Sequence, residues 1–297
     1  MSSPVRAPPT PEPFGPGSAV VILGLGSAIA WGAGDFGGGW ASRRGAVLGV
    51  SLIVQVVGLV VYIAIGVVAR EPVPGPTSLA ISVAAGVAVT IGIIGLYHGL
   101  AVGRMGVVAP VTGLLAAVLP VIAGIIRDGP PPTPVLTGIL LALVAVVLVS
   151  RAPGMDGSRS GIELAIVAGM GIGAFNILVG ELPAGEVFGP LVAIKLTATT
   201  VIVGLLVVGR RAWRMPRRVV PVAVAGGLFD MAGNALYVLA TQAGRLDVAA
   251  TLSSLYPVTT ILLAMGLLGE RVTRSHAAGI TAAVVAIVLI GAGSGGA

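Results

Sequence analysis

A chain of 297 residues with 56% hydrophobic and 9% charged residues lacks the charge to cover a water-facing surface, where about a quarter of residues is usual. The formal charge of +6 comes from arginines between apolar stretches, which points to topogenic charge at lipid headgroups rather than to nucleic acid. The lack of cysteine excludes a disulfide framework, a thiolate nucleophile and a cysteine-based metal site.

Residues 1–17 contain six prolines and one basic residue, Arg6. They read as a disordered tail, and the apolar run that follows is too long for a cleaved signal segment. Apolar stretches then recur near the ~20-residue length that crosses a bilayer. The expected spans are 18–40, 46–69, 78–99, 106–126, 134–150, 163–181, 187–208, 219–241, 248–268 and 276–293. The fourth with the fifth, and the ninth with the tenth, read as tight helical hairpins. A membrane barrel is not expected, because its strands alternate apolar and polar residues in runs of about ten. The fold class is therefore all-α, polytopic, with about ten transmembrane helices.

Charges inside hydrocarbon cost about 2.5–3.5 kcal/mol on insertion scales, so the polar residues within spans carry the information. The first span holds Ser27, Trp31 and Asp35 at i, i+4 and i+8, with Trp31 able to stack on an organic solute. Gly34 and Gly38 form a small-xxx-small pair suited to helix packing. Tyr97 and His98 close the third span, and a histidine titrates in the range a proton relay needs. Pro120 lies in the fourth span and Pro257 in the ninth; each removes a backbone donor and is expected to kink its helix, freeing carbonyls that must be satisfied inside the bundle. Lys195, the only lysine, either snorkels or neutralises Asp230 or Glu181. In the eighth span Asp230, Asn234, Tyr237 and Thr241 fall on one helical face. Such a stripe either lines a solute cavity or supplies interhelical hydrogen bonds. Ser253, Ser254, Tyr256, Thr259 and Thr260 form a hydroxyl-rich patch in span nine, open to solute or to bonding with their own backbone. Gln55, Asn176 and Gln242 are further polar companions, and Glu163 and Glu181 stand near span ends.

The chain also reads as duplicated, with an offset near 141. Gly138–Leu148 (GILLALVAVVL) and Gly279–Leu289 (GITAAVVAIVL) share seven of eleven positions. The stretch Trp31–Asp35 stands against Ile172–Asn176, Tyr97 against Tyr237, and Pro120-Val121 against Pro257-Val258. Five spans per half reverse the orientation of the second half, which makes an inverted repeat of the kind on which many transporters are built. The expected divisions are a tail (1–17), a first repeat (18–150), a linker (151–160) and a second repeat (161–293).

These same features, namely the Trp-Gly-x-Gly-Asp-Phe stretch from Trp31, Tyr97 through Pro120, and the hairpin ending Gly269-Glu270-Arg271, resemble the drug/metabolite transporter superfamily, EamA type. The resemblance spans about 18–293; one departure is Arg127-Asp128-Gly129-Pro130 where the second half has Gly-Glu-Arg. It implies two five-helix repeats and a secondary transporter that exports a small organic metabolite or amino acid across the bacterial plasma (inner) membrane. A lipid or lipid-linked sugar flippase and a non-transporting scaffold are the alternatives.

The expected solute cavity is lined by Trp31, Asp35, Tyr97, Asn176, Asp230, Asn234, Tyr237 and Ser254, with proton coupling through Asp35, Asp230 or His98 and gating kinks at Pro120 and Pro257. Gly24-Leu25-Gly26 and Gly169–Gly173 follow no strand and are not nucleotide loops. No Walker sequence, metal-ligand spacing or catalytic constellation is found, so no enzyme, cofactor or metal is expected. Expected partners are a small-molecule solute and membrane lipids, with no nucleic acid; a homodimer is compatible with the chain and no partner protein is implied. Twelve arginines lie in the odd-numbered connectors against four in the even connectors and tail. The positive-inside rule then puts the odd connectors in the cytoplasm and both termini outside, whereas the resembled family is commonly drawn with both termini inside.

Overall fold

Apolar runs without strand alternation form helices in hydrocarbon because a helix satisfies its own backbone hydrogen bonds. The computed structural model describes residues 16–102, 105–149, 161–268 and 273–294. The expected tail up to residue 15, the linker 151–160 and the Gly269-Glu270-Arg271 hairpin end lie outside the described residues. The helices are α1 (Pro16–Ser42), α2 (Val47–Ala69), α3 (Pro76–Val102), α4 (Met105–Asp128), α5 (Thr133–Val149), α6 (Ile162–Gly180), α7 (Phe188–Val208), α8 (Val220–Ala243), α9 (Leu246–Ser253), α10 (Tyr256–Leu268) and α11 (Arg274–Ser294), with a short 3₁₀ turn at Arg217–Val219.

Seven of these, α1 to α4 and α6 to α8, are long and apolar enough to cross a membrane. The protein is a multi-pass helical membrane protein. α5 and α11 are shorter apolar helices. The expected ninth span is not one helix. It divides into α9 and α10 at Ser254-Leu255, and Pro257 supplies the reason: in a continuous helix its ring would meet the carbonyl of residue 253. Pro257 instead takes the second position of α10, where its missing N–H costs nothing. So Pro257 marks a helix start and not a kink within a span. α4 runs through Pro120 without interruption.

The bundle is assembled from helix pairs: α1 on α8, α3 on α6, α4 on α6, α2 on α7, and α5 on α11. Close approach is made by small residues, as expected where lipid tails remove the hydrophobic drive between helices. Gly34 rests against the α8 backbone at Gly226 and Asp230, and Gly38 against the Tyr97 ring.

One end of the bundle is tied together by side chains reaching across connectors. Glu71 accepts from the three free N–H groups that open α7: Oε1 from Val187 (2.8 Å) and Gly189 (3.1 Å), Oε2 from Phe188 (2.9 Å). Arg70 takes a left-handed conformation (φ 53°) that ends α2 and swings Glu71 to that position. Gln242 accepts from Gly185 N–H (3.1 Å) and donates to the Glu186 carbonyl (2.9 Å). Arg127 pairs with Glu181 (3.1 Å). Arg245 pairs with the fully buried Asp247 (2.8 Å) and donates to the Gly129 carbonyl (2.6 Å). The hydrogen bond to Asp247 holds the Arg245 guanidinium above its ordinary pKa. Glu71→Ala leaves three donors at the α7 terminus without their carboxylate; a stability loss of about 1–2 kcal/mol is expected, read by thermal unfolding in detergent. An unchanged midpoint would show that water replaces the cap at no cost.

Candidate functional site

The polar stripe of α8 turns inward. Asp230 is buried beside Lys195 of α7, whose Nζ donates to Asp230 Oδ2 at 2.5 Å and to Gln55 Oε1 of α2 at 2.7 Å. Lys195 is 1% exposed, so it does not snorkel. Glu181, its other candidate partner, pairs with Arg127 instead. Asn234, one turn along α8, donates to the same Asp230 oxygen (3.2 Å) and accepts from Trp31 Nε1 (3.2 Å). The Trp31 ring lies 5.2 Å from that of Tyr237, in space kept open by Gly233. Tyr62 donates to the Met231 carbonyl and Ser27 to that of Gly233 (2.9 Å), holding α2 and α1 to α8. A carboxylate buried with a cation and an amide donor satisfies the condition for burying charge at all.

Asn176 has a backbone task that Pro120 explains. Pro120 has no N–H to give to the Ala116 carbonyl four residues back. Asn176 of α6 donates to that carbonyl at 3.1 Å. Its own carbonyl accepts from Tyr237 Oη (3.1 Å), and its Oδ1 is buried with no partner among the described residues. The freed carbonyl of the proline is thus satisfied from a neighbouring helix.

A cavity of about 30 Å³ lies at the centre, lined by Trp31 and Asp35 of α1, Asp230 and Asn234 of α8, and Phe175 and Tyr256, with Val89, Ile93 and Ile172 completing its wall. Of the eight residues expected to line the solute cavity, these first four do. Asn176 and Tyr237 stand behind it, joined to each other. Tyr97 is buried against Gly38 and Ser254 is buried at the α9–α10 break; neither hydroxyl has a partner among the described residues. His98 is exposed and lies in a different crevice, with Leu48 and Arg211. Phe175 and Tyr256 were not singled out for the lining. Tyr256 was legible only as a member of the hydroxyl patch, and Phe175 carries no signal apart from its neighbour Asn176.

Asp35 differs from Asp230 in one respect. It forms no hydrogen bond or ion pair among the described residues, although it lines the same cavity and is half-buried. The site therefore contains one neutralised carboxylate and one open one, facing three aromatic rings.

The sequence profile of the EamA-like transporter family matches residues 159–292. This stretch belongs to the EamA-like transporter family. The EamA-like region thus takes in α6 to α10 and most of α11, including Lys195, Asp230 and Asn234. A solved crystal structure of a protein with 16% sequence identity superposes with a TM-score of 0.73, over 92% of this chain and 96% of the other. That likeness concerns the fold, and it extends over both halves. No curated protein matches the sequence.

Proposed function

We propose that this EamA-like protein is a secondary transporter that exports a small amine-bearing metabolite or amino acid across the bacterial plasma membrane by alternating access. The observation that carries the reading is Asp35: a carboxylate lining a central, aromatic-walled cavity with no partner among the described residues. Trp31, Phe175 and Tyr256 offer ring faces that attract an ammonium, and Asp35 offers its counter-charge. Asp230, held by Lys195 and Asn234, orients the Trp31 ring through the Asn234 amide and is not free to bind solute. Proton coupling falls to Asp35 on the same grounds.

At about 30 Å³ the cavity has room for water and none for an organic solute. Binding therefore requires the bundle to open. The latches at Arg127–Glu181, Gln242 and Arg245–Asp247 close one end, and their release is the opening we assign to one face of the cycle. The α9–α10 break supports the same reading, because discontinuous helices form the binding sites of many transporters.

The helix pairing supports two inverted five-helix repeats at 18–150 and 161–293. Exchanging the halves turns the α1–α8 contact into α6–α3, and α4–α6 into the contact of α9 and α10 with α1. The α2–α7 and α5–α11 pairs map onto themselves.

The test is solute-induced thermal stabilisation of the purified protein, wild type beside Asp35→Asn. A panel of amino acids, amines, nucleosides and sugars is screened, since a ligand that binds only the folded state raises its apparent stability. An amine-bearing solute is expected to stabilise the wild type, and Asp35→Asn to need roughly tenfold more of it, the worth of a hydrogen bond to a charged group. Stabilisation by an uncharged solute that is indifferent to Asp35→Asn would overturn the assignment.

A further inference from the structure

We propose that the crevice between α2, α3 and α7 is a binding site for an anionic phospholipid, with its acyl chains in the crevice and its phosphate against the arginines of 210–218. The crevice measures about 780 Å³ and shares no lining residue with the central cavity. Its walls are apolar, from Leu48 of α2, Ile94 of α3, and Leu205 and Val208 of α7, with His98 and Arg211 as the polar members. A volume of this order accommodates a molecule of drug size or larger.

The arginines are placed by the local backbone. α7 ends when Arg210 enters the left-handed region (φ 44°) and Arg211 N–H returns to the Leu206 carbonyl at 3.1 Å, a helix-ending turn of the kind glycine usually makes. The chain then crosses the start of α2. Ala46 N–H donates to the Arg214 carbonyl (3.4 Å), Gly49 leaves room for the Trp213 carbonyl, and Gly45 for Met215. This fastens the segment beside Val47 and Leu48, which line the crevice.

Five arginines, at 210, 211, 214, 217 and 218, fall within nine residues, and no acidic residue occurs between Glu186 and Asp230. All five are exposed, and none makes an ion pair among the described residues. The opposite end of the bundle pairs Arg127 and Arg245 with carboxylates. An unneutralised basic cluster at the end of a membrane helix attracts anionic lipid, and the half-exposed Trp213 adds a ring suited to headgroup depth. Apolar walls beneath a cationic rim match a phospholipid in both of its parts.

Gly204 gives a clean probe. It lines the crevice, and a Cβ built on it meets nothing within 4 Å, so a larger side chain fills the crevice without disturbing helix packing. The experiment is native mass spectrometry of the full-length protein equilibrated with equimolar phosphatidylglycerol and phosphatidylcholine. Wild type is expected to retain phosphatidylglycerol about tenfold over phosphatidylcholine. Replacing Arg210, Arg211 and Arg214 by glutamine is expected to bring the ratio near one. Gly204→Phe is expected to lower phosphatidylglycerol retention severalfold, with an unchanged melting temperature in lipid-free detergent. Glycerol phosphate at millimolar concentration is not expected to compete. Equal retention of the two lipids by wild type, a preference that survives both variants, or displacement by glycerol phosphate would each overturn the proposal.

Discussion

Lys195→Met is expected to destabilise the protein by about 3–5 kcal/mol, the usual result of stripping one partner from a buried ion pair. Among the described residues Lys195 Nζ is the only cation against Asp230, at 2.5 Å, and both side chains are shielded from solvent. Without it Asp230 retains the Asn234 amide alone, and Gln55 Oε1 loses its donor. The loss comes from what remains behind more than from the contact removed. The combined variant Lys195→Met with Asp230→Leu is accordingly expected to recover most of the stability, because an apolar pair of similar volume replaces the ion pair and leaves no buried charge. Chemical denaturation in detergent, run on the two variants and on Asp230→Leu alone, separates these terms as a double-mutant cycle. A Lys195→Met variant within about 0.5 kcal/mol of wild type, the ordinary scatter of neutral substitutions, would mean that water reaches Asp230 and that the triad is not a closed unit.

Gly171→Leu is expected to lose about 3 kcal/mol, the upper range for overpacking, and to yield little folded protein. A Cβ at Gly171 would meet the Ala88 carbonyl at 2.7 Å, the Gly92 nitrogen at 2.7 Å and the Gly92 Cα at 2.9 Å. All three are backbone atoms of α3 and cannot rotate away, so α6 and α3 must separate. Ile172, Val89 and Ile93 of the cavity wall sit on these two helices, and solute binding is expected to fall with stability. Gly204→Leu is the matched control, because it adds the same side chain where nothing is met; its melting temperature is expected to stay at the wild-type value. Comparable losses in both variants would mean that the α3–α6 contact does not set the cost, since leucine is a better helix former than glycine at either position.

The membrane helices were legible because their cause is local. A run of apolar residues of bilayer length satisfies its own hydrogen bonds, and no distant partner is needed to form it. The expected spans 46–69 and 187–208 correspond to α2 (Val47–Ala69) and α7 (Phe188–Val208). The Asp230–Asn234–Tyr237 face was legible for the same reason, since helical period alone puts those residues together. The α9–α10 break was not read, although Pro257 was seen. A proline can be absorbed by a continuous helix when a neighbour satisfies the freed carbonyl, as Asn176 does for Pro120, and the sequence of one helix does not disclose its neighbour.

Everything that joins helices needed the tertiary structure. Lys195 could have faced lipid, Glu181 or Asp230, and the choice rests on how α7 is rotated against α8 and α2. Gln55 enters that triad from 140 residues away, and Glu71 caps a helix 116 residues further on. The burial of Asp247, and the difference between an engaged Asp230 and an open Asp35, are likewise set by packing. Composition and period determined that this chain is a bundle of membrane helices with a polar stripe along the eighth expected span. Helices that are apolar on every side do not mark which face is buried, so the partners of each polar group, the lining of the cavity and the crevice under the arginines were decided only when the helices packed.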